Sequence, residues 1–235
     1  NGDRGFSVSQ KRFMAGCNNI FDINISPEDE RIINKVYSKE HLTLKDGAQW
    51  ALGIVTGNNR SYVKNERIKG SEPVIKGKDI FPFRINDADS FIIFEPEKFQ
   101  QTASESYYRH REKLVYRYIS NRLIFACDRE GRVTLNSANI LIPEICGYSP
   151  ELITGLFNSD LYQFIFQKRF SSVKVLRSHI EELPVPHLSR DEKKRLENSV
   201  EIAENTGDTA PLNKTVYRLF GFNQGEIAYI KSAIL

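Results

Sequence analysis

The sequence predicts an α+β fold: a mixed, curved β-sheet core with helices packed on it and a helical tail at its C-terminal end. Three observations carry this expectation. Short apolar or β-branched runs (Ile54-Val55-Thr56, Val74-Ile75, Phe91-Ile92-Ile93-Phe94, Ile140-Leu141-Ile142) are bounded by glycine, proline, asparagine or aspartate, as strands are. Helix-capping residues at Ser26, Ser149, Ser189 and Asn223 stand before apolar-periodic stretches. The 235 residues are 40% hydrophobic and 27% charged, enough for a sizeable core and unlike a disordered or collagen-like chain.

Taken in order, Ser26-Pro27-Glu28-Asp29 sets a cap, a first-turn proline and two acids before Ile32, Ile33, Val36 and Tyr37, which predicts a helix over 27–39. Trp50 to Thr56 reads as a strand entering the Gly57-Asn58-Asn59 turn, with Tyr62-Val63 beginning its return strand. Val74-Ile75 and Phe91 to Phe94 are further strands. From Ser104 to Ile119 the residues Tyr107, Tyr108, Leu114, Val115, Tyr118 and Ile119 cluster within about 140° of a helical wheel, which predicts an amphipathic helix. Leu123 to Ala126 and Arg132 to Leu135 flank Asp128-Arg129-Glu130-Gly131, the pattern of a hairpin. Ile140 to Ile142 is a strand stopped by Pro143. Ser149 caps a core helix carrying Leu152, Ile153, Leu156 and Phe157, its apolar face continued by Leu161, Phe164 and Ile165. Leu183-Pro184-Val185-Pro186 breaks regular structure, and the Ser189–Glu192 capping box opens a charged helix to about Glu204. A short helix over Leu212 to Phe220 and a last one capped by Asn223 complete the tail.

Composition excludes several classes. Lysine and arginine total 33 against 30 acids, a net charge of +3, and the pI of about 8.7 is below the value above 9 that marks strongly basic nucleic-acid binders. Any nucleic-acid contact must therefore rest on local charge. No apolar run approaches the roughly 18 residues that span a bilayer, and Asn1-Gly2-Asp3-Arg4 does not open a signal peptide, so a soluble cytoplasmic protein with no membrane partner is expected. Cys17, Cys127 and Cys146 form no Cys-x-x-Cys pair and read as reduced thiols. A chain opening on Asn1 reads as a piece of a longer polypeptide.

Catalytic parts are not signalled. There is no glycine-rich phosphate loop, since Ile75-Lys76-Gly77-Lys78-Asp79 has one glycine, and His41, His110, His179 and His187 are isolated. Asp191-Glu192-Lys193 has a spacing a metal nuclease could use, but acids in a first helical turn are explained by the helix dipole; Asp87 and Asp89 suit turns. No catalytic, cofactor or metal residue is assigned.

Local positive charge remains. From Thr56 to Arg84, seven cations (Arg60, Lys64, Arg67, Lys69, Lys76, Lys78, Arg84) meet three acids (Glu66, Glu72, Asp79), a local net charge of +4. On the helix expected from Ser104, Arg109, Lys113 and Arg117 recur every fourth residue opposite the apolar stripe, beside His110, a spacing that suits a row of phosphates. Arg129 and Arg132 at the expected hairpin tip, and Lys168, Arg169, Lys174 and Arg177 around Ser171-Ser172, add loop cations. Such a surface binds phosphates by releasing condensed counterions, although a charge run also suits an ordinary solvated face. Asn58, Asn59, Arg60, Arg129 and Asn136 are residue types that read base edges.

Several segments in order carry a resemblance: Val8 to Phe13 with Phe21-Asp22-Ile23; Gly53 to Asn59; Ile75 to Ile80; Arg111 to Leu114; Leu123 to Asp128; Thr134-Leu135-Asn136 before Ile140; Leu156 to Leu161; Ile180 to Pro186; and Val216 to Phe222 with Glu226-Ile227. Nearly the whole chain resembles the TaqI-like C-terminal specificity domain of restriction-modification N6-adenine DNA methyltransferases, of the Type IIG or Type I-like kind. The resemblance implies a DNA target-recognition domain that positions duplex DNA for a separate methyltransferase domain or subunit. The adenine-methyltransferase motif Asn/Asp-Pro-Pro-Tyr and a glycine-rich cofactor loop are missing, so S-adenosylmethionine is expected only for the catalytic domain and no turnover is expected of this chain. The implied organisation is 1–45, linker and helix from the methyltransferase; 46–188, target recognition; 189–235, a C-terminal helical subdomain. Residues expected to contact DNA are Asn58, Asn59, Arg60, Lys64, Lys76, Lys78, Arg109, Lys113, Arg117, Arg129, Arg132, Asn136, Lys174 and Arg177. Two other readings stay open: a protein-docking module for a methyltransferase or restriction subunit, and a degenerate metal nuclease at Asp191 to Lys193. The DNA reading requires these cations to share a surface and not be consumed by carboxylates.

Overall fold

A computed structural model describes residues 25–234. In chain order the elements are α1 (Pro27–Tyr37), β1 (His41–Leu42), β2 (Ala48–Ala51), α2 (Asn59–Tyr62), β3 (Val63–Lys64), β4 (Glu72–Ile75), β5 (Ile80–Phe81), β6 (Arg84–Ile85) and β7 (Phe91–Ile92). They continue with α3 (Glu105–Arg109), β8 (Lys113–Arg117), β9 (Phe125–Asp128), β10 (Val133–Thr134), β11 (Ala138–Pro143), α4 (Pro150–Asn158) and α5 (Asp160–Phe170). The remainder are α6 (Arg177–Glu181), β12 (Val185–Pro186), α7 (Arg190–Thr206), α8 (Ala210–Leu219) and α9 (Gln224–Ala233).

The fold is α+β, as expected. An antiparallel sheet of order β2-β11-β8-β9 forms the centre, and a second sheet of order β10-β4-β7-β3 is mixed because β10 runs parallel to β4. β1 pairs with β12 and β5 with β6 as short ribbons. The central sheet is buried on both faces. Leu114, Tyr116, Phe125 and Leu141 join a core with the helices, whereas Val115, Ala126, Ile140 and Ile142 join a second core with Val74, Ile75, Ile92 and Val133 of the other sheet. Alternation along each strand thus makes three layers, helices on sheet on sheet.

The helix-side core draws Ile32, Val36 and Leu44 from before residue 46, Leu114 and Phe164 from the middle, and Val200, Val216 and Ile230 from after residue 188. One core thus takes side chains from all three stretches. Capping chemistry set the helix starts: reciprocal boxes join Ser26 to Asp29, Ser189 to Glu192 and Asn223 to Glu226, and Ser149 caps α4.

Three expectations fail. The stretch from Ser104 to Ile119 is not one helix: α3 ends at Arg109, His110 is extended, and β8 begins at Lys113. A strand buried on both faces has no polar side, so its apolar residues can satisfy a helical wheel as readily as an alternating one. Leu123–Ala126 and Arg132–Leu135 do not form a hairpin; β9 pairs with β8, while β10 crosses to β4 in the other sheet. Tyr62-Val63 is not the return strand of 50–56, because β3 pairs with β7. The segments Val8 to Phe13 and Phe21 to Ile23, and Cys17, lie outside the described residues.

Candidate nucleic-acid interface

Three motifs distant in sequence meet at one junction. The Ile54 amide donates to Thr134 O at 2.7 Å and the Asn136 amide to Ile54 O at 3.0 Å, while the Leu135 amide donates to Ile75 O at 2.9 Å. The Gly77 amide donates to Ser137 Oγ at 2.9 Å. Glycines permit this closeness: a Cβ on Gly53 would stand 2.2 Å from Leu135 O, and one on Gly77 2.5 Å from Ser137 O. The Thr56 hydroxyl donates to Asn59 Oδ1 at 2.6 Å, which tethers the following turn. Asn58, Asn59, Arg60 and Asn136 are all exposed around this junction.

Beyond it, residues 57–70 form a surface segment in which Tyr62 and Val63 are half-buried and the others exposed. Arg60, Lys64, Arg67 and Lys69 enter no ion pair among the described residues, and Lys64 Nζ instead donates to Ser61 O at 2.8 Å. Glu66 is the one acid in this stretch. These cations keep their charge available for an anion.

The other cationic candidates divide. Lys78 pairs with Asp89, whose carboxyl is held below its ordinary value by that contact and by the Ser90 hydroxyl. Arg129 pairs with Glu151 at 2.7 Å and Arg177 with Glu181 at 2.7 Å. Exposed pairs of this kind are weak and can yield to phosphate. Arg109 is more firmly held, forking onto Glu72 at 2.5 and 2.7 Å and reaching Glu105 at 3.0 Å. Arg132 faces Asp128 at 3.1 Å. Lys76 donates to the Ser90 hydroxyl, and Lys174 lies over the Tyr118 ring at 5.8 Å without an ion pair among the described residues. Arg117 donates to Gly77 O at 2.8 Å and Ile80 O at 2.6 Å.

Lys113 is corrected outright. It is fully buried, donates to Tyr108 O and to Asp128 Oδ2 at 2.5 Å each, and cannot meet a phosphate. With no helix over 104–119, Arg109, Lys113 and Arg117 do not form a row: Lys113 and Arg117 sit at opposite ends of β8 and Arg109 precedes it. Six of the eleven cationic candidates therefore face carboxylates (Lys78, Arg109, Lys113, Arg129, Arg132 and Arg177), while Arg60, Lys64, Lys76, Arg117 and Lys174 enter no ion pair among the described residues, and neither do Arg84 and Arg122. Arg122 escaped the sequence reading; its signal was the absence of any acid between Lys113 and Cys127.

At the suspected nuclease triplet, Glu192 is occupied as the capping partner of Ser189, and Lys193 donates to Gly147 O at 2.7 Å. Among the described residues no group of three or more histidines, cysteines and carboxylates is placed to hold a metal, and no helix is long and apolar enough to cross a membrane.

The family model of the TaqI-like C-terminal specificity domain matches residues 72–185, from β4 to β12. The match takes in just under half of the chain, which over those residues is similar to this family. The matched region contains the Gly77 and Asn136 sides of the junction, and the 57–70 segment lies just before it. A stretch of 73 residues is 41% identical to the Type II methyltransferase M.VspI of Vibrio sp. (strain 343), covering 31% of this chain and 18% of that protein. The chain thus spans under a fifth of that relative's length. The fold is similar to that of the Type IIL restriction-modification enzyme MmeI, solved in complex with DNA, with a TM-score of 0.52 and 13% identity over 83% of this chain and 36% of that one. The HsdS subunit from Thermoanaerobacter tengcongensis aligns over 88% of this chain and 50% of its own at 13% identity, with a TM-score of 0.44.

Proposed function

We propose that this specificity domain binds double-stranded DNA and positions it for the adenine-N6 methyltransferase domain or subunit of a restriction-modification enzyme. In this reading the 57–70 segment supplies phosphate contacts that set register, and Asn58, Asn59 and Asn136 beside the junction read base edges in the major groove. The observation that carries the reading is the set of four carboxylate-free cations, Arg60, Lys64, Arg67 and Lys69, leaving the same junction as those asparagines. S-adenosylmethionine belongs to the catalytic partner, and this chain alone has no turnover.

A salt titration of duplex binding tests it. Affinity falls steeply between about 50 and 200 mM salt, and replacing the four cations by glutamine flattens the log–log slope by about 3 to 4. Replacing the paired Lys78 and Arg177 has a smaller effect. Salt-independent or absent binding overturns the reading. In the competing reading the chain docks a methyltransferase or restriction subunit through its terminal helices, and co-elution with such a subunit without any affinity for DNA favours that role.

A further inference from the structure

Beyond Arg117 the β8 strand continues for a few residues against 173–175: Ile119 stands opposite Lys174, the Ser120 amide donates to Val173 O at 3.0 Å and the Val175 amide to Tyr118 O at 2.8 Å. Directly opposed residues of an antiparallel pair share a face, so Ile119 and Lys174 point one way, and Ser120 and Val173 the other. Arg117, two residues before Ile119, shares its face. Both strands are pinned: Ser120 Oγ accepts from the Arg122 amide at 3.0 Å and Ser172 Oγ from the Lys174 amide at 3.1 Å. This fixed ribbon carries the two most exposed large hydrophobic side chains among the described residues, Val173 at 71% and Ile119 at 58%.

The surroundings of Ile119 are cationic. Lys174 is opposite it; Arg117 lies over the Phe81 ring at 5.6 Å and Arg84 over the same ring at 5.1 Å. None of the three enters an ion pair among the described residues, and the two stretches that meet in the ribbon, 113–127 and 161–180, contain no acid. An exposed branched apolar side chain amid unneutralised cations suits a polyanion that offers methyl groups. Duplex DNA does so in its major groove, which admits a two-stranded ribbon and displays the thymine methyl.

The geometry points to Ile119 as an apolar contact to a thymine methyl group, with Lys174 and Arg84 on the flanking phosphates. This rests on the DNA reading above and adds a specificity-determining residue to it. Removing one methyl from such a contact costs about fourfold in affinity.

The test enriches a random-sequence duplex pool on the 235-residue chain and recopies the enriched duplexes with either thymine or uracil. Wild-type protein and V173A should bind the uracil copies about fourfold more weakly, whereas I119A binds both copies alike; thermal melts check that the exposed substitutions leave the fold intact. A wild-type protein indifferent to uracil, or an I119A variant that still loses the same factor, overturns the contact while salt-dependent binding leaves the DNA reading standing. Absence of any salt-dependent duplex binding by wild-type protein overturns both.

Discussion

Lys113 and Asp128 stand directly opposite each other on β8 and β9 and form an ion pair with no solvent exposure. Lys113 Nζ also donates to His110 O at 3.1 Å, and the Asp128 carboxylate accepts the amides of Glu130 and Arg132 at 3.2 and 2.9 Å. One buried pair thus closes the end of the central sheet and shapes the turn that leads β9 across to the other sheet.

Breaking that pair from one side should cost more than removing both partners. Lys113→Met leaves a buried carboxylate with only Arg132 as a charged partner and is expected to destabilise by about 3 kcal/mol or more, whereas Lys113→Met with Asp128→Leu recovers much of the loss. Urea denaturation of the single and double variants measures both.

Acid should unfold the protein partly through this pair. Burial works to raise the Asp128 carboxyl, but the Lys113 charge, its hydrogen bond and the Arg132 amide overcome it and hold the group below its ordinary value. A carboxyl depressed in the folded state adds stability above the unfolded value near about 3.9, and that stability is lost as pH falls through the lower folded value. Burial also lowers the Lys113 ammonium, against the pull of Asp128, so both groups make stability rise with pH within their own windows. Urea midpoints followed from about pH 6 to pH 2 should fall less steeply in the Lys113→Met, Asp128→Leu protein than in wild type.

The junction glycines should tolerate no side chain. Gly53→Ala and Gly77→Ala each drive a Cβ into a backbone carbonyl, which cannot rotate away, and each is expected to cost about 1 to 3 kcal/mol. Because the junction also positions Asn58, Asn59 and Asn136, both variants should lose duplex affinity at temperatures where circular dichroism shows them still folded.

The described cysteines should differ sharply in reactivity. Burial pushes the Cys127 thiol up to about 12 against the opposing contact with the Thr154 hydroxyl at 3.5 Å, while Cys146 is exposed. A variant retaining only Cys127 should react with a thiol reagent at neutral pH only after denaturant is added, and one retaining only Cys146 should react at once.

Local chemistry in the sequence determined the α+β class, the capped starts of α1, α4, α7 and α9, the strands β4, β7 and β11, and the motifs that identify residues 72–185, because caps, prolines and turn residues act within a few positions of themselves. Only the tertiary structure decided that Lys113 is buried rather than displayed, that β10 crosses to β4, and that Gly53, Gly77 and Asn136 converge. Sheet pairing joins residues far apart in the chain. A charge is free or spent according to which carboxylate folding brings beside it, and that neighbour is not written near it in the sequence.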